Sequence, residues 1–558
     1  MLERVVVKNF KKFESEEFGL SESIILAGPN NSGKSTLLQA IAIWNLGFQK
    51  WAQKRGYKKK YTPAKVPITR QEFTALPLRE MNLMWFQKET GLKAPKQGYP
   101  KLIEIELSGK DWQNNNKWKF GMEFRYAGSE MIYAGPSGEK EEIAKFFNQA
   151  QDITIVHIPC FSGIETEEPR MDIGLQHLLI GKGRPGEILH NLLWEIYKQD
   201  GDLWKKLVKD IEDIFSYRLL PPNYSEGQPF IICEYLPGIP KKRQGGLPKL
   251  DIANAGTGMH QVLLLLSFFY ARPASIFLLD EPDAHLHFIL QREILDRIRL
   301  IAKEQNCQLI IATHSEVLLN DTDPGQIISF IGKPMPLCHP SQRDQLREAL
   351  KKISSVDLLR ANQLGGVLYV ESESDYKILR EWAKLLEHPA HNFLEAPFVH
   401  PLGGRSLREA KEHLFALQAA YSEISGLCIL DGDDKGESEE EVTKRGLHIL
   451  RWQRYEIENY LLIPEAIKRY INFPLFEKVI DEEFAKQVPK GTDYFGDHAF
   501  LSRTKASKEF FPQLLEKCSR PTPKSELFLL AAVMKPDEIH PEIKEKLDAI
   551  AKLLSHKG

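Results

Sequence analysis

Hydrophobic runs of two rhythms alternate along this chain. Arg4 to Asn9 (RVVVKN) and Ser23 to Ala27 (SIILA) are short β-rich runs. The second leads straight into a glycine-bearing loop, and Thr36 to Trp44 (TLLQAIAIW) follows with helical spacing. Residues 45–150 read as an insertion with β character, carried by Lys101 to Ser108 and Trp118 to Tyr126, and Thr154 to Pro159 (TIVHIP) as a further buried strand. Over 185–215 the apolar positions Ile188, Leu189, Leu192, Leu193, Ile196 and Tyr197 fall on one helix face, and Pro and Gly at 221–247 predict loops. Residues 255–331 then alternate helix and strand. Ser275 to Leu279 and Gln308 to Ala312 are nearly continuous apolar runs, as parallel strands covered on both faces require. After a predicted link at 334–340, the βαβ rhythm returns on a smaller scale at 366–463, and the rest reads as charged helix. There is no tandem repeat and no heptad run long enough for an extended coiled coil.

The pattern predicts an α/β chain of several domains: a first over 1–340, with the insertion at about 45–150 and a helical part at about 180–250; a linker at 341–365; a smaller α/β domain at 366–470; and a helical region at 471–558. A length of 558 residues exceeds a single core and agrees with two to four domains. Composition is that of a folded protein, 42% hydrophobic and 27% charged, and the net charge of −2 confines any polyanion-binding surface to a local patch. Six scattered cysteines without a CxxC pair argue against a disulfide framework or zinc module. MLERVVVKNF lacks the apolar core of a signal peptide, and no apolar stretch reaches the roughly 18 residues of a membrane span. The expectation is a cytoplasmic protein with no membrane partner.

The loop Gly28 to Ser35 reads GPNNSGKS, the GxxxxGK[ST] form, between a predicted strand and a predicted helix. Glycines in such a loop let backbone N–H groups wrap phosphates, and the helix N-terminus adds its dipole. Gly28, Asn31, Gly33, Lys34, Ser35 and Thr36 are therefore the expected ATP-binding set, with Lys34 on the β- and γ-phosphates and Ser35 on Mg²⁺. Ile276 to Asp280 (IFLLD) followed by Glu281 supplies the matching acidic strand end. Asp280 would hold Mg²⁺ and Glu281 would polarise the attacking water, while His314, ending the next strand in IIATHS, can reach the γ-phosphate.

DEPDAHLH, ATHS and Asn254 to Gln261 (NAGTGMHQ) together resemble an ABC-type ATPase head of the SMC and RecF kind. The resemblance implies a head-to-tail homodimer or higher homo-oligomer with ATP in the interface. It also implies a signature, here Gly256, Thr257 and Gly258, that touches the ATP bound by the partner head; the segment departs from the common LSGGQ form. Gln71, in ITRQEF, would correspond to the family's metal-sensing glutamine, though an ordinary polar loop residue fits that position equally well.

A second chemistry lies downstream. Glu371 opens ESESD at the end of an apolar run, and Asp431 and Asp433 form DGD at the end of another, Leu427 to Leu430. Asp375 lies one helical turn after Glu371, the i, i+2 spacing of Asp431 and Asp433 lets both point one way if the strand continues, and Asp434 is a further acid beside them. Carboxylates suit hard cations such as Mg²⁺ or Mn²⁺, and two such ions can stabilise both oxygens of a phosphodiester displacement. A glutamate at one strand end, DxD at a second, a βαβ rhythm between them and the glycine turn His400 to Ser406 (HPLGGRS) resemble a TOPRIM domain, with Ser372 where that family usually has glycine. The resemblance makes Glu371 the general acid/base and Asp375, Asp431 and Asp433 metal ligands.

An ATPase head followed by TOPRIM resembles the OLD (overcoming lysogenization defect) nucleases over residues 1 to about 463. Arg454 to Leu462 (RYEIENYLL) also resembles the end of the TOPRIM part of the PARIS phage-defence system. The resemblance adds Glu458 as a further ligand candidate and, since OLD nucleases use a lysine beyond TOPRIM, Lys505 or Lys508. It implies an ATP-controlled nuclease in anti-phage defence, cutting DNA or RNA, tRNA included, with a phage-encoded trigger or accessory defence protein as a further partner. A non-cutting ATPase scaffold and an SMC-like DNA-repair ATPase are the competing readings. Lys50 to Lys65 carries seven basic residues, among them Lys54, Arg55, Lys58, Lys59 and Lys60, with Trp51, Tyr57 and Tyr61 between them. It fits phosphate neutralisation and base stacking, and equally a solvated loop.

Overall fold

The computed structural model describes the chain outside residues 57–63, 74–75, 77, 92–99, 112–115, 162, 226, 228, 240–246, 321, 354, 396–397, 404–406, 419–422, 433–445 and 555–558. It divides into two compact units, Met1–Arg347 and Glu348–Gly558.

The first unit holds two six-stranded sheets. One is antiparallel, in the order β2-β1-β5-β6-β7-β4, from β1 (Leu2–Phe10), β2 (Phe13–Gly19), β4 (Val66–Thr69), β5 (Ile103–Lys110), β6 (Lys117–Gly128) and β7 (Met131–Ser137). The other has β3 (Ser23–Ala27) near its centre, and β8 (Ile155–Ile158) forms one edge. Between the two runs α1 (Lys34–Trp51), longer than the helix predicted from the sequence. It buries Leu37, Ile41, Trp44 and Phe48 in one core with Ile24 and Leu26 on one side and Phe120, Met122 and Phe124 on the other. A helix covered on most sides needs little polar face, which is why its sequence shows no sharp amphipathic stripe. The stretch at 45–150 is thus the C-terminal end of α1, then most of the antiparallel sheet, then α2 (Lys140–Gln151).

The helical part comprises α3 (Ile173–Gly181), α4 (Leu189–Gln199), α5 (Gly201–Phe215) and α6 (Thr257–Ala271), with a small antiparallel sheet of β9 (Arg218–Leu219), β10 (Glu234–Leu236) and β11 (Leu250–Asp251) in the stretch predicted as loops. The chain then completes the second sheet through β12 (Ile276–Asp280), α7 (Phe288–Glu304), β13 (Gln308–Thr313), β14 (Ile327–Ser329) and β15 (Met335–Pro336), giving the order β15-β14-β3-β13-β12-β8. The five strands from β14 to β8 are parallel, β12 and β13 being the two whose apolar runs predicted it, and β15 is an antiparallel edge cut from the predicted link. A buried amide joins the sheets: Gln308 accepts from Leu2 N at 2.7 Å and donates to the carbonyls of Leu2 and Ser21 at 2.8 and 2.7 Å. The region read as a linker forms helices over Pro340–Lys352 and Ser355–Leu364.

The second unit is built on a four-stranded parallel sheet in the order β17-β16-β18-β19: β16 (Gly366–Val370), β17 (Val399–Pro401), β18 (Ser425–Leu430) and β19 (Leu447–Arg451). α8 (Glu373–Leu385) follows β16 and α9 (Leu407–Gln418) precedes β18. The region beyond 470 shares the same core. Leu547, Ile550 and Leu554 of α10 (Pro541–Leu554) cluster with Leu368, Val370, Leu427 and Ile429, and a Cβ on Gly366 would come within 2.6 Å of Leu554. Among the described residues no helix is long and apolar enough to cross a membrane.

Candidate functional site

In the first unit, register brings the predicted ATP residues together at the C-terminal ends of three neighbouring parallel strands. Ala27 pairs with Thr313, and Ala312 with Asp280. The glycine loop therefore leaves β3 beside the ends of β13 and β12. Gly33 caps α1 at φ 113°, a backbone region that favours glycine. A Cβ on Gly28 would sit 2.8 Å from Phe330 Cβ, so close approach requires that glycine too. Lys34 is buried, and its Nζ donates to the carbonyls of Gly28 and Pro29 at 2.7 and 2.9 Å. Asn31 has φ 63° and its carbonyl accepts from Lys12 Nζ, while Thr36 is buried in the first turn of α1. Lys12, which no motif flagged, thus joins the loop from the β1–β2 turn.

Ser35 Oγ donates to Asp280 Oδ1 at 2.9 Å, joining the two side chains expected to share Mg²⁺. Burial, with the neighbouring Glu281 charge, pushes the Asp280 carboxyl up to about 6, against the Ser35 hydrogen bond. A cation there would remove that penalty, and the hydroxyl–carboxylate pair is the hard oxygen donor set Mg²⁺ takes. Glu281 sits at φ 51°, a conformation costly for a non-glycine residue and one that collects at functional sites. His314 Nδ1 lies 3.3 Å from Glu281 Oε1. This hydrogen bond holds the Glu281 carboxyl below its ordinary range and raises the imidazole. The result is an ionised carboxylate at the strand end, as a group that orients water must be. Asp283, two residues on, is buried and pushed up by that burial.

Gly256 caps α6 and Thr257 opens it, both exposed, with Gly258 beside them. Gln261 turns inward, and its Nε2 donates to Pro282 O at 3.2 Å, joining this segment to the acidic strand end. Gln71 is exposed in a turn between Arg70, which bonds Glu130, and Glu72, which bonds Thr69 and Lys50. In the basic stretch, Lys54 is exposed; Lys58, Lys59, Lys60 and the Arg55 side chain lie outside the described residues.

In the second unit, Glu371 follows β16 and Asp431 follows β18. These strands are neighbours, with Val370 opposite Ile429, and Asp431 N donates to Glu371 Oε1 at 2.8 Å. Asp375 is the third residue of α8 in a capping box. It accepts from Ser372 N at 3.1 Å and from Ser372 Oγ at 2.5 Å. Ser372 therefore has a local role, holding the Asp375 carboxylate. Gly432 admits a third segment: a Cβ there would fall 2.4 Å from the carbonyls of Trp452 and Arg454. That segment donates Ile457 N to Asp431 Oδ1 at 3.2 Å and carries Glu458, which is fully buried. A fourth segment brings Lys524, whose Nζ lies 2.9 Å from Glu458 Oε1.

These charges act on one another. Burial, then the charges of Glu371, Asp375 and Glu458, push the Asp431 carboxyl up to about 9. Burial pushes Glu458 up to about 7 against the pull of Lys524, and burial raises Asp375. Burial works to lower the Lys524 ammonium, but Glu458 outweighs it and the group is held charged. One ammonium faces several carboxylates, and Glu458 Oε2 is buried without a hydrogen-bond partner among the described residues. An oxygen-rich, under-compensated set of this kind suits a divalent cation. Among the described residues, however, no three His, Cys, Asp or Glu side chains stand close enough together to hold a metal ion. Asp433 and Asp434 lie outside the described residues.

The lysine that meets the acidic cluster is Lys524. Lys505 and Lys508, named from the sequence, are both exposed, Lys505 with its Nζ 5.7 Å over the Tyr455 ring. Lys524 was missed because its flanks, RPTPKSE, match no motif; only folding brings it to Glu458.

Comparison with known proteins bears on the first unit. Residues 1–74 match a family model described as an AAA ATPase domain, and residues 235–320 one described as an AAA domain, putative AbiEii toxin, type IV toxin–antitoxin system. The first match spans the glycine loop; the second spans the signature segment, Asp280, Glu281 and His314. The first unit carries an ATP-binding ATPase domain. No curated protein matches the chain. Similar solved structures include the SMC head domain from Thermotoga maritima (15% identity, 61% of this chain and 99% of that one, TM-score 0.31). Another is an Smc head with an extended coiled coil, derived from Pyrococcus furiosus and bound to the C-terminal domain of ScpA (17%, 59% and 92%, TM-score 0.34). A third is an Smc head with a coiled coil and joint from Pyrococcus yayanosii (12%, 63% and 100%, TM-score 0.37).

Proposed function

We propose that this chain is an ATP-controlled, metal-dependent nuclease of the OLD kind acting in anti-phage defence, with the acidic cluster of the second unit as its cutting centre. The observation that carries this reading is the meeting of Glu371 and Asp431 at the ends of two neighbouring parallel strands, with Asp375, Glu458 and Lys524 brought near them by other segments. A structural role explains Asp375 as a helix cap. It does not explain why Glu458 is fully buried with an unpartnered oxygen beside other acids. Such a cluster is costly unless a cation or substrate uses it.

To hold Mg²⁺ or Mn²⁺, Asp375, Asp431 and Glu458 would have to draw closer together than they stand here and be joined by Asp433, which lies outside the described residues. When bound, such ions stabilise the attacking and leaving oxygens of a phosphodiester. Glu371, fixed by the Asp431 N–H, is placed to move a proton at the strand tip, and Lys524 brings a positive charge to the side of the cluster. In the first unit, Lys34, Ser35, Asp280, Glu281 and His314 bind ATP and position water. Two such heads joined head to tail, each offering Gly256–Gly258 to the other's ATP, would control access to the acidic centre.

The test is a cleavage assay with purified protein on plasmid DNA and total tRNA, in Mg²⁺ or Mn²⁺, with and without ATP. Glu371→Ala and Glu281→Gln run beside it. Cutting that disappears with Glu371→Ala supports the nuclease, and the substrate cut decides between DNA and RNA. Intact ATP turnover with no cutting of either substrate, in any metal, removes the nuclease reading in favour of an ATPase scaffold.

A further inference from the structure

A cavity of about 170 Å³ lies in the first unit, away from the glycine loop, where α1, α3 and α6 meet the edge strand β8. Its size bounds its occupant: an engineered apolar cavity of roughly 150 Å³ holds benzene, so this one admits one ring or two fused rings. Ala42 and Leu46 of α1, Ile180 of α3 and Phe268 of α6 give it flat apolar walls. Its floor is polar. β8 is the edge of its sheet, and Ile276 N donates to Thr154 O at 3.1 Å. Alternate residues of a parallel strand bond to opposite sides, so the main-chain groups of Ile155 and His157 turn away from β12 toward the open edge. Asn45 Nδ2 takes the Ile155 carbonyl at 3.3 Å. The His157 ring nitrogen Nε2 is shut off from solvent and meets no partner among the described residues. Gln49 stands at the rim, exposed, donating to Asn45 at 3.3 Å.

Charge narrows the ligand further. The cation in the lining, Arg272, is already ion-paired with Glu195 and bonded to Gln176 Oε1 at 2.6 Å. Burial drives the His157 imidazole down to about 4, so it is neutral at physiological pH. A phosphate would find no free positive charge here. A flat, neutral molecule with hydrogen-bonding groups on its edge would meet apolar side chains and the open edge of β8.

We propose that this cavity is a second small-molecule site, distinct from the ATP loop, that takes a neutral heteroaromatic base, alone or as a nucleoside whose sugar stays outside at the Gln49 rim. Its wall is the same helix whose first turn carries Lys34 and Ser35, so an occupant bears on the element that holds the phosphates. This site does not depend on the nuclease reading.

The experiment is equilibrium dialysis of the full chain carrying Lys34→Ala, which disables the ATP loop, against radiolabelled adenine, guanine, cytosine, uracil and their nucleosides. One class should bind at one per chain. Ile180→Trp, which fills the cavity, should weaken that binding by about tenfold or more. The same Ile180→Trp in an otherwise unaltered chain should keep its affinity for a fluorescent ATP analogue. If none of the ligands binds, or if the tryptophan leaves binding unchanged, the proposal is overturned. If Ile180→Trp loses the ATP analogue as well, the fold has been disturbed and Gln49→Ala at the exposed rim decides. Weaker base binding there supports the site, and equal binding overturns it.

Discussion

The two polar centres of this chain are built on the same plan and balanced in opposite ways. Both collect acids at the C-terminal ends of neighbouring parallel strands, where the ladder stops and side chains can converge. In the ATP centre three charges have a partner, while Asp283 Oδ1 is buried without one among the described residues. Lys34 is satisfied by loop carbonyls, Asp280 by Ser35, and Glu281 by His314. In the acidic centre Glu458 pairs with the Lys524 ammonium, while burial and the charges of Glu371, Asp375 and Glu458 drive Asp431 up to about 9. The first centre is preformed for an anionic ligand that brings its own cation. The second leaves the buried Glu458 Oε2 without a hydrogen-bond partner among the described residues, a gap the proposed cation would fill.

The sharpest way to break this comparison is to disable each centre alone. Lys34→Ala removes the ammonium expected on the phosphates, and Glu281→Gln the carboxylate expected on water. Each should lower ATP turnover about a hundredfold or more. Glu371→Ala should leave turnover unchanged and abolish cutting. Steady-state phosphate release and a gel-based cleavage assay, run on the same preparations, measure both. Loss of ATP turnover in Glu371→Ala would show that the two centres do not act as separate machines.

Lys524 tests the incomplete side of the comparison. Its replacement by Met leaves the fully buried Glu458 facing other acids without an ammonium. Breaking a buried ion pair costs about 3–5 kcal/mol. Lys524 is 38% exposed, so screening reduces the expected loss to about 1–2 kcal/mol. Urea denaturation should show this loss, and adding Glu458→Gln should recover most of it. A destabilisation that persists in the double variant would mean that Lys524 stabilises the unit through something other than Glu458.

The difference between the centres also explains what could be read from the sequence. The ATP centre lies in contiguous strings, GPNNSGKS, DEP and ATHS, because in the GxxxxGK[ST] form one strand–loop–helix turn is expected to make most of the phosphate contacts. The helix and strands around it were equally legible, since buried parallel strands are continuous apolar runs. The acidic centre is assembled from 371–375, 431, 456–458 and 524, and only the first two are strand ends with a recognisable period. Lys505 and Lys508 follow from the resemblance to OLD nucleases, which use a lysine beyond TOPRIM, but it is Lys524, past the helix Phe511–Lys517, that returns to Glu458. The antiparallel sheet was visible as β character without its order, because pairing between β1 and β5 spans about a hundred residues and leaves no local mark. Gln308 is a further case: a polar residue opening an apolar strand gives no sign that its amide will join two sheets.

Acidity should separate the centres through stability. Asp431 and Glu458 are raised, to about 9 and about 7, above the ordinary carboxylate values near 4. The folded state therefore binds these protons more tightly than the unfolded chain, and stability falls as pH rises from about 4 through 7 for Glu458 and through 9 for Asp431. The chelated protein should melt at a lower temperature at pH 9 than at pH 6. Mg²⁺ or Mn²⁺ should narrow that gap, because a cation favours the ionised carboxylates. In the ATP centre the Glu281 carboxyl is lowered and the His314 imidazole raised, so their pairing widens the pH range over which both are charged. A gap untouched by either metal would argue that the acidic centre binds neither of them.

The smallest effect is the most specific. Ser372 stands where the TOPRIM pattern has glycine, and its hydroxyl and N–H both hold Asp375. At a helix N-cap, Ser to Ala costs about 1 kcal/mol and Ser to Gly only a few tenths. If Asp375 is only a cap, Ser372→Ala and Ser372→Gly should follow that order in thermal stability and leave the metal dependence of cutting alone. If Asp375 is also a metal ligand, Ser372→Gly should free its carboxylate from the hydroxyl. Half-maximal cutting would then come at a lower Mg²⁺ concentration with almost no change in melting temperature. Asp375→Asn, which keeps an acceptor for the Ser372 N–H but removes the charge, separates the two roles. It should keep most of the helix stability and lose the response to metal.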